Sequence, residues 1–394
     1  MRPRVVLLTS FGFILATLLF VSLSLFTLIA PVLYSHLHIT LNLNEFTYII
    51  TIAYFTGMPL GKIIGRVFGM HRYPALSTFL MVAIISISIP LTYISSNFYE
   101  LIFLRIIQGM STFLMEIFSI EYSKLLKLPE RIVPSTISIG GIPTGVALGA
   151  FFVNYLSMSN LILLVILILL IGGLFSVILN SIGGPNYEII KGQQIRTTNY
   201  GNPATWLMGI IWMSIAGFNL SLAVILPLYL IKTDPTLINN AMNVFGITGA
   251  LFTFLGGILS YSIYKFGKKD YALFLVPVLS YSVTAFGFLI IMVMGVKLLI
   301  FALILIMMEA MNIGIIYSIP REIFGDKNYA NATWEFSLIG SSGHIIAPLL
   351  LIPLAFSFGF NYVFLIYAIF PLIAAISFLR IKSYMRVRNN NGKH

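Results

Sequence analysis

Long apolar runs separated by short polar punctuation recur from one end of the chain to the other. A stretch of about 20 mainly apolar residues is long enough to cross a bilayer as a helix. The pattern predicts twelve such helices, near residues 5-34, 46-68, 74-95, 99-121, 135-156, 160-182, 206-230, 240-264, 272-295, 298-319, 332-356 and 361-380. Strands of a membrane barrel alternate in polarity, whereas LILLVILILLIGGLFSVIL in the sixth run is apolar all round, so helices are expected. The first run is too long for a signal peptide and lacks a small-residue cleavage site after a short core, so it reads as a spanning segment.

Composition supports the same class: 59% of residues are hydrophobic, 9% are charged and mean hydropathy is +0.99. The net charge of +11 could suggest nucleic acid, but the placement of the cations argues otherwise. With the N-terminus inside, every Lys and Arg except Arg105, Lys232 and Lys297 falls on the inner side. The positive-inside rule then puts both termini in the cytoplasm of a multi-pass cytoplasmic-membrane protein. The basic clusters are short loop pieces without an aromatic platform, so no nucleic-acid partner is expected. The absence of cysteine removes disulfides, thiolate metal sites and cysteine nucleophiles. The five histidines are scattered; His36 and His38 share a loop and read as a solvated pair, so neither a metal nor a cofactor is expected.

The chain repeats itself at an offset of about 195 to 199 residues. Phe55, Gly57, Phe68, Gly69 and Tyr73 match Phe254, Gly256, Phe266, Gly267 and Tyr271. Pro31 likewise matches Pro227, and Met115 and Ile117 match Met311 and Ile313. Two pseudo-symmetric six-helix bundles follow, residues 1-182 and 206-394, joined by a cytoplasmic linker at 183-205, with a basic tail at the end. Parallel repeats of this kind are the logic of a rocker-switch transporter with its solute site between the halves.

Here the chain resembles the major facilitator superfamily over nearly its whole length. LIFLRIIQGM in helix four is similar to that family's R-x-x-Q-G signature at Arg105, Gln108 and Gly109. The loop GKIIGRVFGMHR resembles its Gly-rich basic loop, implying a conformational role for Gly61, Arg66, Gly69 and Arg72. It departs from the pattern in lacking an Asp and in its longer spacing between Gly61 and Gly69. GGIPTGVALG in helix five is similar to the G-P-x-x-G pattern of exporters, with Ile142 inserted before Pro143. The resemblance implies an all-α integral membrane fold of twelve helices in two bundles, with the cavity lined by helices one, four, seven and ten.

A charge at the bilayer centre costs roughly 2.5 to 3.5 kcal/mol, so each one needs a partner or a task. Arg105, Gln108, Thr112, Glu116 and Ser119 fall within an arc of about 80° on helix four, a polar stripe that must face protein or water. Arg105 and Glu116 are about 16 Å apart along the axis, so Arg105 is expected to find its partners on another helix. It reads as a clamp on backbone carbonyls or, with the family resemblance, as a coupling residue; Glu116 reads as a partner for an inner-side cation or as a second coupling group. Glu309 lies mid-span in helix ten, where a carboxylate able to take up and release a proton suits a proton-coupled carrier. His344, near the midplane of helix eleven with Ser337 and Ser341 on its face, reads equally as helix glue and as a relay partner of Glu309. Glu335 is expected to favour the positive end of helix eleven from its first turn. Asn312, Asn219, Gln108, Thr112, Tyr54 and Thr27 are the candidates for a solute cavity, each also explicable by packing.

The reading is a monomeric secondary transporter of a small organic solute, working by alternating access, coupled to protons and leaning to efflux. A solute/proton symporter or facilitator importing a sugar or organic acid is the alternative. An integral membrane enzyme would need a carboxylate cluster or a nucleophile with its base, and an ATP-driven pump a G-x-x-x-x-G-K-[ST] loop, and neither pattern is present. A non-transporting sensor is the remaining alternative, because the loop lacks its Asp.

Overall fold

The computed structural model describes residues 3–37, 39–182 and 198–391. His38, Arg2, Lys393, His394 and most of the expected linker, including Lys191 and Arg196, lie outside them. Twelve long helices can be followed. The first six are α1 (Pro3–Leu28), α2 (Leu43–Val67), α3 (Pro74–Ile94), α4 (Phe98–Leu125), α5 (Ile132–Phe152) and α6 (Met158–Ile182). They are followed by α7 (Pro203–Thr233), α8 (Ile238–Lys265) and α9 (Val276–Met294). Helix α10 is Leu299–Ile306, a 3-10 stretch Met307–Asn312 and Ile313–Ser318; α11 is Tyr329–Phe358 and α12 Phe360–Asn391. The apolar stretch Tyr271–Ser318 runs for 48 residues, about 70 Å if straight, more than twice a bilayer core. Gly295, at φ 57, turns it back on itself, giving α9 and α10 as separate spans.

Local chemistry sets the boundaries. Asn42 and Glu45 form a reciprocal capping box at α2, Asn97 caps α4 through the Tyr99 and Glu100 amides, and Asn202 caps α7. The first run is shorter than expected, because the helix breaks at Ile29 and restarts as Ala30–Ser35 with Pro31 in its first turn. The last is longer: nothing in IKSYMRVRNN breaks a helix, so α12 continues beyond its apolar part. Prolines occur inside α2, α3, α5, α7, α11 and α12, and Pro59, Pro348 and Pro371 are buried among neighbouring helices.

Glycine sets the closest approaches. A Cβ on Gly109 of α4 would stand 1.8 Å from the Tyr54 carbonyl oxygen of α2, and one on Gly57 would stand 1.9 Å from that of Ile106. Gly256 of α8, the repeat partner of Gly57, meets Met311 of α10 in the same manner at 2.3 Å. Small residues thus let the second and fourth, and the eighth and tenth, helices touch through their backbones.

Candidate functional site

Among the described residues, three buried polar clusters carry Glu309, Arg105 and Glu116. The first surrounds Glu309, carried on the 3-10 stretch of α10. Its backbone N–H donates to Thr284 Oγ1 of α9 at 3.1 Å, and Thr284 in turn donates to the Ile306 carbonyl at 2.9 Å. Ser214, in the π-turn Met213–Asn219 of α7, donates to Glu309 Oε2 at 3.3 Å. The side chain is 1% exposed, and no cation stands within ion-pair distance of it among the described residues. Asn312 turns toward α9 and donates to Ser280 Oγ at 2.7 Å. Beside this cluster is a cavity of about 70 Å³, walled by Met115 of α4, Pro143 of α5, Asn219 of α7, Phe245 of α8, Met307 of α10 and His344 of α11. His344 Nδ1 lies 2.9 Å from the Ser341 carbonyl of its own helix, and its ring packs on Phe55 at 5.6 Å. His344 thus lines the cavity, whereas Glu309 is set behind its wall beside Asn219, and each has its hydrogen bonds to other groups.

The second cluster holds Arg105, fully buried on α4. One nitrogen donates to the Ser22 carbonyl of α1 at 3.1 Å and to Gln108 Oε1 at 2.5 Å. Expecting its partners on another helix was therefore half the answer, since a residue one turn along the same helix shares the guanidinium. Gln108 passes the contact on to α3, donating to Ser88 O at 3.2 Å and Thr92 Oγ1 at 2.7 Å. The other two guanidinium nitrogens have no hydrogen-bond partner, and the cation lies over the rings of Tyr54 (4.7 Å) and Phe26 (5.4 Å). Tyr54 also pairs with Ser111 at 3.3 Å. From there aromatic contacts run Tyr54 to Phe55 to His344 and so reach the cavity wall. Thr27 bonds the Leu23 carbonyl of its own helix.

The third cluster joins the first six helices to the last six. Lys62 of α2 and Glu116 of α4 form an ion pair at 2.5 Å, both side chains fully buried, and Lys62 also donates to the Thr112 carbonyl at 2.5 Å. Thr112 Oγ1 is left to approach Met58 O at 3.4 Å. Glu116 Oε1 accepts from Tyr317 Oη of α10 at 3.0 Å and from Ser337 Oγ of α11. Lys62 went unnoticed in the sequence as one more inner-side cation. The available signal was its place inside the apolar run TGMPLGKIIG, within the span rather than after it.

Further contacts close the face that carries the chain termini. Arg66, in the last turn of α2, reaches Glu335 of α11 at 2.5 Å and stacks on Tyr200. This corrects the expectation for Glu335: α11 begins at Tyr329, so Glu335 lies beyond the first turn and acts as an ion-pair and hydrogen-bond acceptor, also for the Asn199 N–H at 2.8 Å. Gly61 packs on Met110 of α4. Gly69, at φ 59, makes the left-handed turn that places Arg72 against it and buries His71. Burial, then Lys124 and Arg72, push the His71 imidazole down to about 3, so it stays neutral and its Nδ1 accepts from the Trp334 indole N–H at 3.3 Å. Arg131, ahead of α5, donates to Ser318 O at 2.5 Å and pairs with Glu322. At the opposite face a cavity of about 370 Å³ opens between Asn42, Glu45 and Tyr48 of the α2 end and Leu228, Ile352 and Phe356 of α7 and α11.

The backbone arrangement matches solved transporters throughout. The human organic anion transporter MFSD10 (TETRAN) superposes with a TM-score of 0.72 at 13% identity, covering 96% of this chain and 100% of its own. The proton:xylose symporter XylE, solved with 6-bromo-6-deoxy-D-glucose, gives 0.67 at 14%, covering 95% and 94%. This chain has the major facilitator superfamily fold. No family profile and no curated protein matches the sequence. Among the described residues eleven helical stretches are long and apolar enough to cross a membrane, in keeping with that fold.

Proposed function

We propose that this protein is a secondary active transporter of a small organic solute, working by alternating access between its two six-helix halves and driven by protons, in the direction of efflux. The observation that carries the reading is Glu309: a carboxyl buried at mid-span, held by Ser214 and a neighbouring Asn219, beside a cavity built from both halves and with no cation partner among the described residues. A carboxylate so placed is costly to keep charged, and proton exchange with whichever side the cavity faces relieves that cost. The inter-half bonds at one face and the opening at the other describe a carrier closed toward its termini. The positive-inside bias supports taking that face as cytoplasmic.

The cavity wall favours an apolar or amphipathic solute. Asn219 and His344 are set among Met, Phe, Pro, Ile and Trp side chains, whereas a sugar would need a hydrogen-bonding partner for most of its hydroxyls. MFSD10 is described as an organic anion transporter, and the two unpartnered guanidinium nitrogens of Arg105 suit an anionic group on the solute. Reconstitution into proteoliposomes tests the reading. An imposed pH gradient should drive accumulation of amphipathic organic compounds, their anions foremost, and leave sugars unmoved. Sugar accumulation, or movement of no compound in the panel, overturns it.

A further inference from the structure

The terminal face holds a cleft between the two halves, lined by cations of which Lys127 and Lys269 play no part in the transport reading. It has a volume of about 410 Å³, within the range of small-ligand sites, and lies where the α4–α5 loop meets the ends of α8, α9 and α12. Lys127, Arg131, Lys269, Arg321 and Lys382 line it. Three of these cations have carboxylate partners: Arg131 with Glu322, Arg321 with Asp326 at 2.6 Å and Lys382 with Asp270 at 2.7 Å. Lys127 and Lys269 have none among the described residues; Lys269 lies only over the Tyr264 ring at 5.6 Å. Burial, and after it the like charge of Arg321, push the Arg131 guanidinium down to about 10.

Asp270 and Glu322, the partners of Lys382 and Arg131, also line it, and Tyr264, Leu128, Leu273, Phe274 and Met385 complete the wall. At Lys127 the cleft meets a second cavity of about 710 Å³, lined also by Leu125, Leu126, Glu130, Val133, Pro134 and Tyr261. Charge at the level of the helix ends beside an apolar groove along the helices is the arrangement that takes a phosphate with a chain attached.

We propose that this cleft binds a phosphate-bearing anion, with Lys127 and Lys269 as its principal ligands. Lys127 and Arg131 belong to the first six helices, Lys269, Arg321 and Lys382 to the last six. A bound phosphate therefore ties the halves together at the terminal face and favours the closed arrangement seen here. A lipid phosphodiester and free inorganic phosphate present the same oxygens, and the adjoining groove separates them, because only a lipid fills it.

The test uses the full chain in a neutral detergent, followed by its unfolding temperature. Titration with phosphatidylglycerol should raise that temperature by several degrees, and phosphatidylcholine should not. Lys127→Gln with Lys269→Gln should weaken the response by about fivefold per lysine removed. Lys268→Gln with Lys327→Gln, exposed cations on the same face outside the cleft, should leave it intact. A matching rise with millimolar inorganic phosphate assigns the site to a soluble anion, and a rise with phosphatidylglycerol alone assigns it to lipid. Equal responses to the two lipids with none to phosphate, or an unchanged response in the Lys127/Lys269 variant, overturn the proposal. Transport enters none of these readouts, so the site stands or falls apart from the transport reading.

Discussion

The buried Lys62–Glu116 pair offers a quantitative test of how the halves are held. Both side chains are fully buried at 2.5 Å, and the carboxylate also takes hydroxyl hydrogen bonds from Tyr317 and Ser337 across the seam. Lys62→Met removes the cation and leaves the Glu116 carboxylate buried with only its hydroxyl partners; Glu116→Gln keeps the hydroxyl contacts but strands the ammonium. Breaking one side of such a pair costs about 3–5 kcal/mol, whereas replacing both charges by neutral groups of similar shape costs little or nothing. The double variant should therefore lie within about 2 kcal/mol of the parent, leaving a coupling of at least about 4 kcal/mol, roughly a thousandfold shift in the folded ratio. The assay is a double-mutant cycle on the unfolding of the purified protein in one detergent. Additive losses, with coupling below about 0.5 kcal/mol, would mean that the two charges are solvated separately and that the cluster holds nothing together.

Three further outcomes follow from the same geometry. Glu309→Gln, which keeps shape and hydrogen bonding but cannot titrate, should fold as the parent does and still exchange solute between equal compartments, while losing accumulation on a pH gradient; full accumulation would move the coupling site to Glu116. Arg66→Gln removes a partly exposed partner of Glu335 worth about 1 kcal/mol, so a cysteine placed at Ser119 in the seam should label about fivefold faster; an unchanged rate would show that this pair does not hold the face shut. In this cysteine-free chain, single cysteines at Gly201, which has open space around it, and at Ser96 should label from opposite sides of the membrane, and labelling from one side would overturn the orientation.

The helices were legible because their signal is additive: each needs only a run of apolar residues, and even inside the unbroken stretch Tyr271–Ser318 the boundary read between 295 and 298 is the turn that Gly295 makes. Arg105, Glu116 and Glu309 were legible for the opposite reason, as isolated charges where none is expected. Their partners were not, because pairing is decided by packing between helices distant in sequence. Lys62 meets Glu116 across 54 residues and Arg66 meets Glu335 across 269, and no periodicity along one helix records either. Gln108 shows the converse: it shares the polar stripe of α4, yet its hydrogen bonds go to Arg105, Ser88 and Thr92. A helical stripe says which face is polar, and only the neighbouring helix says whether that face meets solute or protein.

The two seams between the halves differ in kind, and the difference says how the molecule can move. Along α5 and α8 the contact is made by small residues: a Cβ on Gly246 would stand 2.6 Å from Ala147, one on Gly257 2.6 Å from Thr136 and one on Gly249 3.1 Å from Pro143. Backbones this close gain dispersion along their whole length, and such packing tolerates a slight roll of one helix on the other. Along α2 and α11 the contact is polar at the terminal end, through Arg66–Glu335 and His71–Trp334, and gives way to an open cavity at the other. Rotation of one half about the α5–α8 line would spare the close packing and act on the α2–α11 side, where hydrogen bonds can be exchanged for water. Glu116 lies between the two seams, holding Lys62 from its own half and Tyr317 and Ser337 from the other. On that motion it would keep its cation and give up its hydroxyls, so the ion pair stays in place while the halves part.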